Sequence, residues 1–228
     1  VTKSILPILQ LTDMLIKMLE QSVFTEKLFM FDQISANPKL SEVRNGIQFG
    51  KQKNINVVVG FGGGSAMDAA KAIAVGIGAN EEIEEFYVHG KEPGEETLPV
   101  LAIPTTAGTG SEFSKAAIIT DEIRKKKSGI RGKALYPAAA VVDSMFTESV
   151  PDRITMETGF DVLAHAIESY VSKAASPYTH MQSEYAIHIV GKYLPLLKKD
   201  LQNREARENM SFASMIMGIN LAKLIFSS

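Results

Sequence analysis

The residues of this 228-residue chain best suited to chemistry lie at 60–71, GFGGGSAMDAAK. They follow a β-branched run at 56–59, NVVV, that reads as a buried strand, and they open into an alanine-rich stretch with helical periodicity over 66–77. The order is strand, glycine turn, helix. The first amides of such a helix lack intrahelical partners and carry the positive end of its dipole. Glycine lets a phosphate approach those amides closely. The pattern is Gly60-x-Gly62-x-x-Ser65, which is short of a full dinucleotide fingerprint, and no GxxxxGK[ST] lies nearby. A βα turn in which glycine only supplies positive φ is the plainer reading, but three consecutive glycines exceed what a turn needs.

A second loop of the same kind follows the apolar run at 98–103: Thr105-Thr106-Ala107-Gly108-Thr109-Gly110-Ser111-Glu112. Small hydroxyl residues and glycines at the carboxyl end of a parallel strand suit a ligand crevice. A connector with local Ser/Thr hydrogen bonds would have the same composition. Farther on, Asp161 and His165 stand at i and i+4 and share one helix face. A carboxylate and an imidazole one turn apart can chelate a divalent cation, although a solvated Asp–His pair is the commoner meaning of that spacing. His89 sits in a charged, exposed loop. His180 and His188 lie eight residues apart on or near one helix, where surface or interface roles suffice.

The elements that must position these residues follow from periodicity and punctuation. Apolar residues at 11, 14, 15, 18 and 19 make an amphipathic helix face, 27–31 (KLFMF) reads as a short strand, and Asn37-Pro38 closes a turn. A helix is expected over 40–53, and Val141 and Val142 close another short strand. Strands alternating with helices give an α/β class with a mostly parallel sheet. After Pro151 only helices are expected, over 153–173, 178–194 and 205–225, which places a domain boundary near 151.

Composition narrows the function classes. The chain is 45% hydrophobic with net charge −2, which disfavours nucleic acid as a partner. The basic run Arg124-Lys125-Lys126-Lys127 reads as a solvated loop. There is no cysteine, so disulfides, thiolate metal sites and a cysteine nucleophile are excluded. No signal-peptide pattern and no uninterrupted apolar span of about 18 residues is present, and a cytoplasmic protein with no membrane partner is expected.

Three stretches together resemble the iron-containing alcohol dehydrogenase family: GGGSAMDAAKAIA at 62–74, AIPTTAGTGSE at 102–112 and GFDVLAHAIESYVS at 159–172, in the family's order. Asn37-Pro38 and Val142-Asp143 match two of its lesser features, and the resemblance runs from about residue 20 to 218. It implies a dehydroquinate synthase-like fold. A Rossmann-like dinucleotide-binding α/β domain occupies 1–151, an all-helical metal-binding domain, incomplete here, occupies 152–228, and the active site lies in the cleft between them. By resemblance, Gly63, Gly64 and Ser65 take the pyrophosphate of NAD or NADP. Asp68, Thr105, Thr106, Thr109, Asn37 and Lys127 match positions around that cofactor. Asp161 and His165 match the first two ligands of Fe2+, or alternatively Zn2+.

The resemblance implies hydride transfer between NAD(P) and a small alcohol or aldehyde in a homo-oligomer, with no catalytic residues beyond the metal site. Lys3 stands about where an acidic residue would select NAD, so the choice between NAD and NADP is open. The family's two remaining histidine ligands lie downstream, and no histidine follows His188. The chain therefore reads as truncated at both ends. A catalytically inactive nucleotide-binding remnant and a glycerol dehydrogenase-like enzyme or synthase-like lyase are the alternatives. The second loop followed by the Asp161–His165 helix argues for the alcohol dehydrogenase branch.

Overall fold

Helix α1 (Leu40–Lys53) begins where Pro38 and the Lys39 amide end the preceding chain. The Glu42 carboxylate accepts hydrogen bonds from the Lys39 and Ser35 amides, so an acidic residue in the first turn satisfies donors that the helix leaves open. Asn54 ends it in the left-handed region. The structure, a computed structural model, describes residues 27–224 together with positions 13, 14, 16–18 and 21. The helix expected over 11–19 falls largely outside those residues, and of it positions 13, 14 and 16–18 are helical. Lys3 lies outside them.

Strands β1 (Val58–Gly62), β2 (Val100–Pro104) and β5 (Ala139–Ala140) form a parallel sheet in the order β1-β2-β5. Val58 faces Val100 and Gly62 faces Pro104 in register, so both glycine-bearing loops leave from the same end of the sheet. Helix α2 (Gly64–Gly78) connects β1 to the rest. Ala70 and Ala74 pack with Val100 over the sheet, while Ala69, Ala72, Ile73 and Val75 enter a core shared with α1, the short helix α3 (Ile83–Tyr87) and the hairpin described below. Covered on both sides, the helix is apolar nearly all round, with Ala69, Ala72 and Ala74 buried beside Met67, Ile73 and Val75.

Two strand expectations change. Residues 27–35 have no regular structure. Phe31 packs on α1 instead, its ring 5.6 Å from that of Phe49, and Lys53 lies over the Phe29 ring. The last parallel strand is Ala139–Ala140 rather than 141–142, although the Val141 amide still donates to the Ala102 carbonyl. An antiparallel hairpin, β3 (Ala116–Asp121) and β4 (Lys126–Arg131), was not expected. Half of the basic run read as a solvated loop belongs to it: Arg124 and Lys125 make the turn, while Lys126 and Lys127 enter β4.

From Asp152 onward the described residues are helical apart from connectors: α4 (Asp152–Val171), α5 (Pro177–Lys199) and α6 (Arg204–Leu224). Their shared core includes Val162, Ala166, Leu194, Leu197, Met210 and Met217. Helix α5 runs past Pro195, where the sequence pattern ended it. An interior proline clashes with the carbonyl four residues earlier. Burial of Leu194 and Leu197 holds the last turn in spite of it. No described helix is long and apolar enough to cross a membrane.

The hairpin turn contains no glycine or proline and depends on Asp121. Its Oδ1 accepts from the Ile123 and Arg124 amides and its Oδ2 from the Arg124 guanidinium. The Arg124 amide, then its guanidinium, holds the Asp121 carboxyl below its ordinary 3.8. A lowered carboxyl stabilises the fold above the unfolded pKa, and that contribution is lost as pH falls through the native value. Asp121→Ala is therefore expected to lower stability in denaturant melts at pH 6–7. The difference from the parent should shrink as pH drops below 3.8; a constant difference across that range would refute the assignment.

Candidate functional site

The first turn of α2 is the centre of the site. Gly63 occupies the N-cap position with no side-chain cap. Its carbonyl accepts from the Ala66 and Met67 amides, and among the described residues the Gly64 and Ser65 amides meet no acceptor. The second loop presses against this turn. A Cβ on Gly63 would come 3.2 Å from Thr106 Oγ1, and one on Gly64 would come 2.7 Å from Thr109 Oγ1 and Cγ2. Glycine is needed here for close approach between two walls, and the hydroxyls of Thr106 and Thr109 thereby stand beside the open amides.

Asn37, Ser65 and Lys127 close a third side. Asn37 adopts the left-handed conformation (φ 55°), its amide donates to Ser65 Oγ at 3.1 Å, and its Oδ1 accepts from Lys127 Nζ at 2.7 Å. Residues far apart in sequence, on the turn before α1, on α2 and on β4, thus meet at one helix end. Thr105 is buried, and its amide donates to the Gly62 carbonyl, tying the second loop to the first.

Asp68 points the other way. Its Oδ1 accepts from Ser111 Oγ at 2.6 Å and its Oδ2 from the Ile118 amide at 3.0 Å. Burial raises its carboxyl, against the opposing pull of Lys71. Lys71 is fully buried, with five oxygens within 2.5–3.1 Å of Nζ: the carbonyls of Ser111, Ser114 and Ala116 and the hydroxyls of both serines. Burial pulls its ammonium down to about 8, opposed by Asp68 and Glu112. Glu112 is buried too, with Oε2 unpartnered and its carboxyl raised by desolvation. Lys71 and Glu112 lie within the two stretches the sequence picks out, but the sequence assigns neither of them a role. A lone lysine in a run of alanine, isoleucine and valine was the available signal.

Asp161 and His165 lie on α4. His165 Nε2 is 3.6 Å from Asp161 Oδ1. Two donors each about 2.1 Å from a tetrahedral ion would lie about 3.4 Å apart, so the pair fits as half of such a site. The Nδ1 atom of His165 is buried without a partner. Among the described residues no third His, Cys, Asp or Glu joins them. His180 is engaged elsewhere, its Nε2 3.0 Å from the Tyr170 carbonyl, and His89 and His188 are exposed.

The second loop also meets the helices. A Cβ on Gly108 would come 2.8 Å from Thr158 Cβ on α4, one turn before Asp161. Gly110, at φ 61°, lies against the backbone of Gly218 on α6, where a side chain on either would overlap the other. The loop thus connects the first turn of α2 to the helix carrying Asp161 and His165.

A parallel sheet thus carries two glycine loops at one end, and the helical part that follows it carries one carboxylate–imidazole pair, on α4. Residues 1–144 match the family model for iron-containing alcohol dehydrogenase, and 155–226 match that for the C-terminal part of the Fe-containing alcohol dehydrogenase family. The chain belongs to the iron-containing alcohol dehydrogenase family. It is 37% identical over 190 residues to the NAD-dependent methanol dehydrogenase of Bacillus methanolicus, covering 83% of this chain and 50% of that one. It is 38% identical over 202 residues to a 1-propanol dehydrogenase of Citrobacter freundii, covering 85% and 51%. The chain thus spans about half the length of these curated relatives. Among solved structures, it superposes on the archaeal halo-thermophilic Red Sea brine pool alcohol dehydrogenase with a TM-score of 0.92 at 31% identity, covering 98% of this chain and 57% of that one. The sulfoacetaldehyde reductase of Bifidobacterium kashiwanohense, solved with NAD+, gives 0.81 at 38% identity, covering 85% and 51%.

Gly110→Ala should lower stability by about 2 kcal/mol or more, because it adds left-handed strain to a backbone overlap. Gly218→Ala should act in the same direction without the strain. Chemical denaturation of both variants checks this; a parent-like midpoint for Gly110→Ala would refute the packing described.

Proposed function

We propose that this chain supplies the cofactor-binding part, and two of the metal donors, of an NAD(P)-linked alcohol dehydrogenase acting on small alcohols or aldehydes. The observation that carries the reading is the meeting of open amides at Gly64 and Ser65 with Thr106, Thr109 and the Asn37–Lys127 pair at one helix end. Under this reading Gly63, Gly64 and Ser65 hold the pyrophosphate through backbone N–H groups and the helix dipole. Thr106, Thr109 and Asn37 orient the nucleotide, and Lys127 offers it a positive charge. Thr105 and Asp68 shape the crevice from behind, as their buried hydrogen bonds support. Asp161 and His165 would hold Fe2+, or Zn2+. When bound, the nicotinamide carries the hydride and the metal polarises the alcohol or aldehyde oxygen.

The division into a nucleotide domain over 1–151 and a helical domain over 152–228 belongs to the same proposal, as do a cytoplasmic setting and self-association. Exposed Phe160, Ile167 and Val171 on one side of α4 support the last of these. A second reading, a nucleotide binder without catalysis, is favoured by one observation: only two metal donors converge among the described residues.

Gly63→Val would place a branched side chain where Thr106 and a pyrophosphate both approach. NADH titration by fluorescence or calorimetry should show affinity lowered by about tenfold or more. Parent-like affinity in the folded variant would remove the cofactor assignment.

Tight transition-metal sites use three or four protein ligands, so two donors should retain metal poorly. Elemental analysis of chelator-free preparations should find well under one ion per chain, with alcohol oxidation weak or absent. Stoichiometric iron or zinc that disappears in His165→Ala would contradict this and require a further ligand source.

A further inference from the structure

A fully buried ammonium with five oxygen neighbours is an unusual thing to place in an alanine-rich helix. Apolar filling of the same volume is often as stabilising as a buried charge. Lysine does what an apolar side chain cannot: it is a compact point charge that gathers oxygens around itself. Here every oxygen comes from one segment. Ser111, Ser114 and Ala116 bend around Nζ, and the Ser111 hydroxyl also donates to Asp68 Oδ1. Asp68 Oδ2 holds the Ile118 amide beyond. Lys71 and Asp68 thus fix the exit of the second loop to α2, the helix whose first turn presents the open amides. The entrance of that loop is fixed separately, by the Thr105 amide on the Gly62 carbonyl. The charged groups facing Lys71 are Asp68 on its own helix and Glu112 on the loop.

We propose that Lys71 is the positioning residue of the nucleotide crevice: its ammonium holds residues 111–116 against α2 and so sets where Thr106 and Thr109 stand relative to the Gly64 and Ser65 amides. The proposal rests on the nucleotide reading above for its functional part, while the clamp itself is testable without ligand.

The test uses the whole chain with Lys71→Met, which keeps length and removes the charge, and Ser114→Ala, which removes one of the oxygens. Hydrogen exchange is followed on peptides from 105–116 and, as an internal reference, from α5. NADH is titrated by its fluorescence, reading both affinity and the emission shift of the bound form. Loss of a charge-assisted hydrogen-bond set should reduce loop protection by about tenfold or more in Lys71→Met, leave α5 unchanged, weaken NADH by about tenfold and diminish its emission shift. Ser114→Ala should do the same to a smaller degree. Equal loss of protection in loop and α5 with parent-like NADH binding would overturn the proposal, as would an unaltered loop in a folded Lys71→Met. If Lys71→Met does not fold, an unaltered loop in Ser114→Ala overturns it. If the parent binds no NADH while loop protection still falls locally in the variant, the nucleotide reading fails and the clamp stands.

Discussion

The segment from Thr105 to Gly110 has contacts on three sides, and the rest of the site depends on that confinement. Beneath it the first turn of α2 accommodates Thr106 and Thr109 only because Gly63 and Gly64 carry no side chains. On the far side Gly108 meets Thr158 and Gly110 meets Gly218. At its exit Lys71 gathers the chain. A loop so held adopts one conformation, and hydroxyls on it become fixed donors rather than solvated ones. Fixed polar groups bind with less ordering cost than mobile ones.

The glycine loops, α1, α2 and the three C-terminal helices were legible because each declares itself locally. Periodicity and turn residues mark their limits, and boundaries shifted by only a few residues except at Pro195. The β3–β4 hairpin was not legible, since its turn, Glu122 to Lys125, contains none of the residues that normally announce one. Its geometry comes from Asp121 bonding forward to the next residues and from Lys125 entering the left-handed region. The run at 27–31 misled for the opposite reason. Five apolar or long-stemmed residues can form a strand or lie across a helix, and only tertiary packing chose the latter.

The site was partly readable for similar reasons. Asn37, Ser65 and Lys127 could be named from a family pattern, but their joining by hydrogen bonds depends on folding three separate segments together. Asp161 and His165 were paired by helical spacing and by the family pattern, and the structure keeps them 3.6 Å apart. Lys71 was hidden by its composition. A lysine is ordinarily solvated, and nothing in the neighbouring alanines states that the ammonium will be enclosed by oxygens from forty residues later.

The contact between Gly110 and Gly218 has a mechanical meaning. Two backbones that touch without intervening side chains have no rotamers to absorb motion, so the joint has little slack. If the helices rock relative to the sheet, this point is the natural fulcrum, and displacement grows with distance from it along α6 and its neighbours. The crevice lies close to the fulcrum and would change little. Motion of that kind would leave the stretch around Gly110 in place while the parts of α6 far from Gly218 moved most.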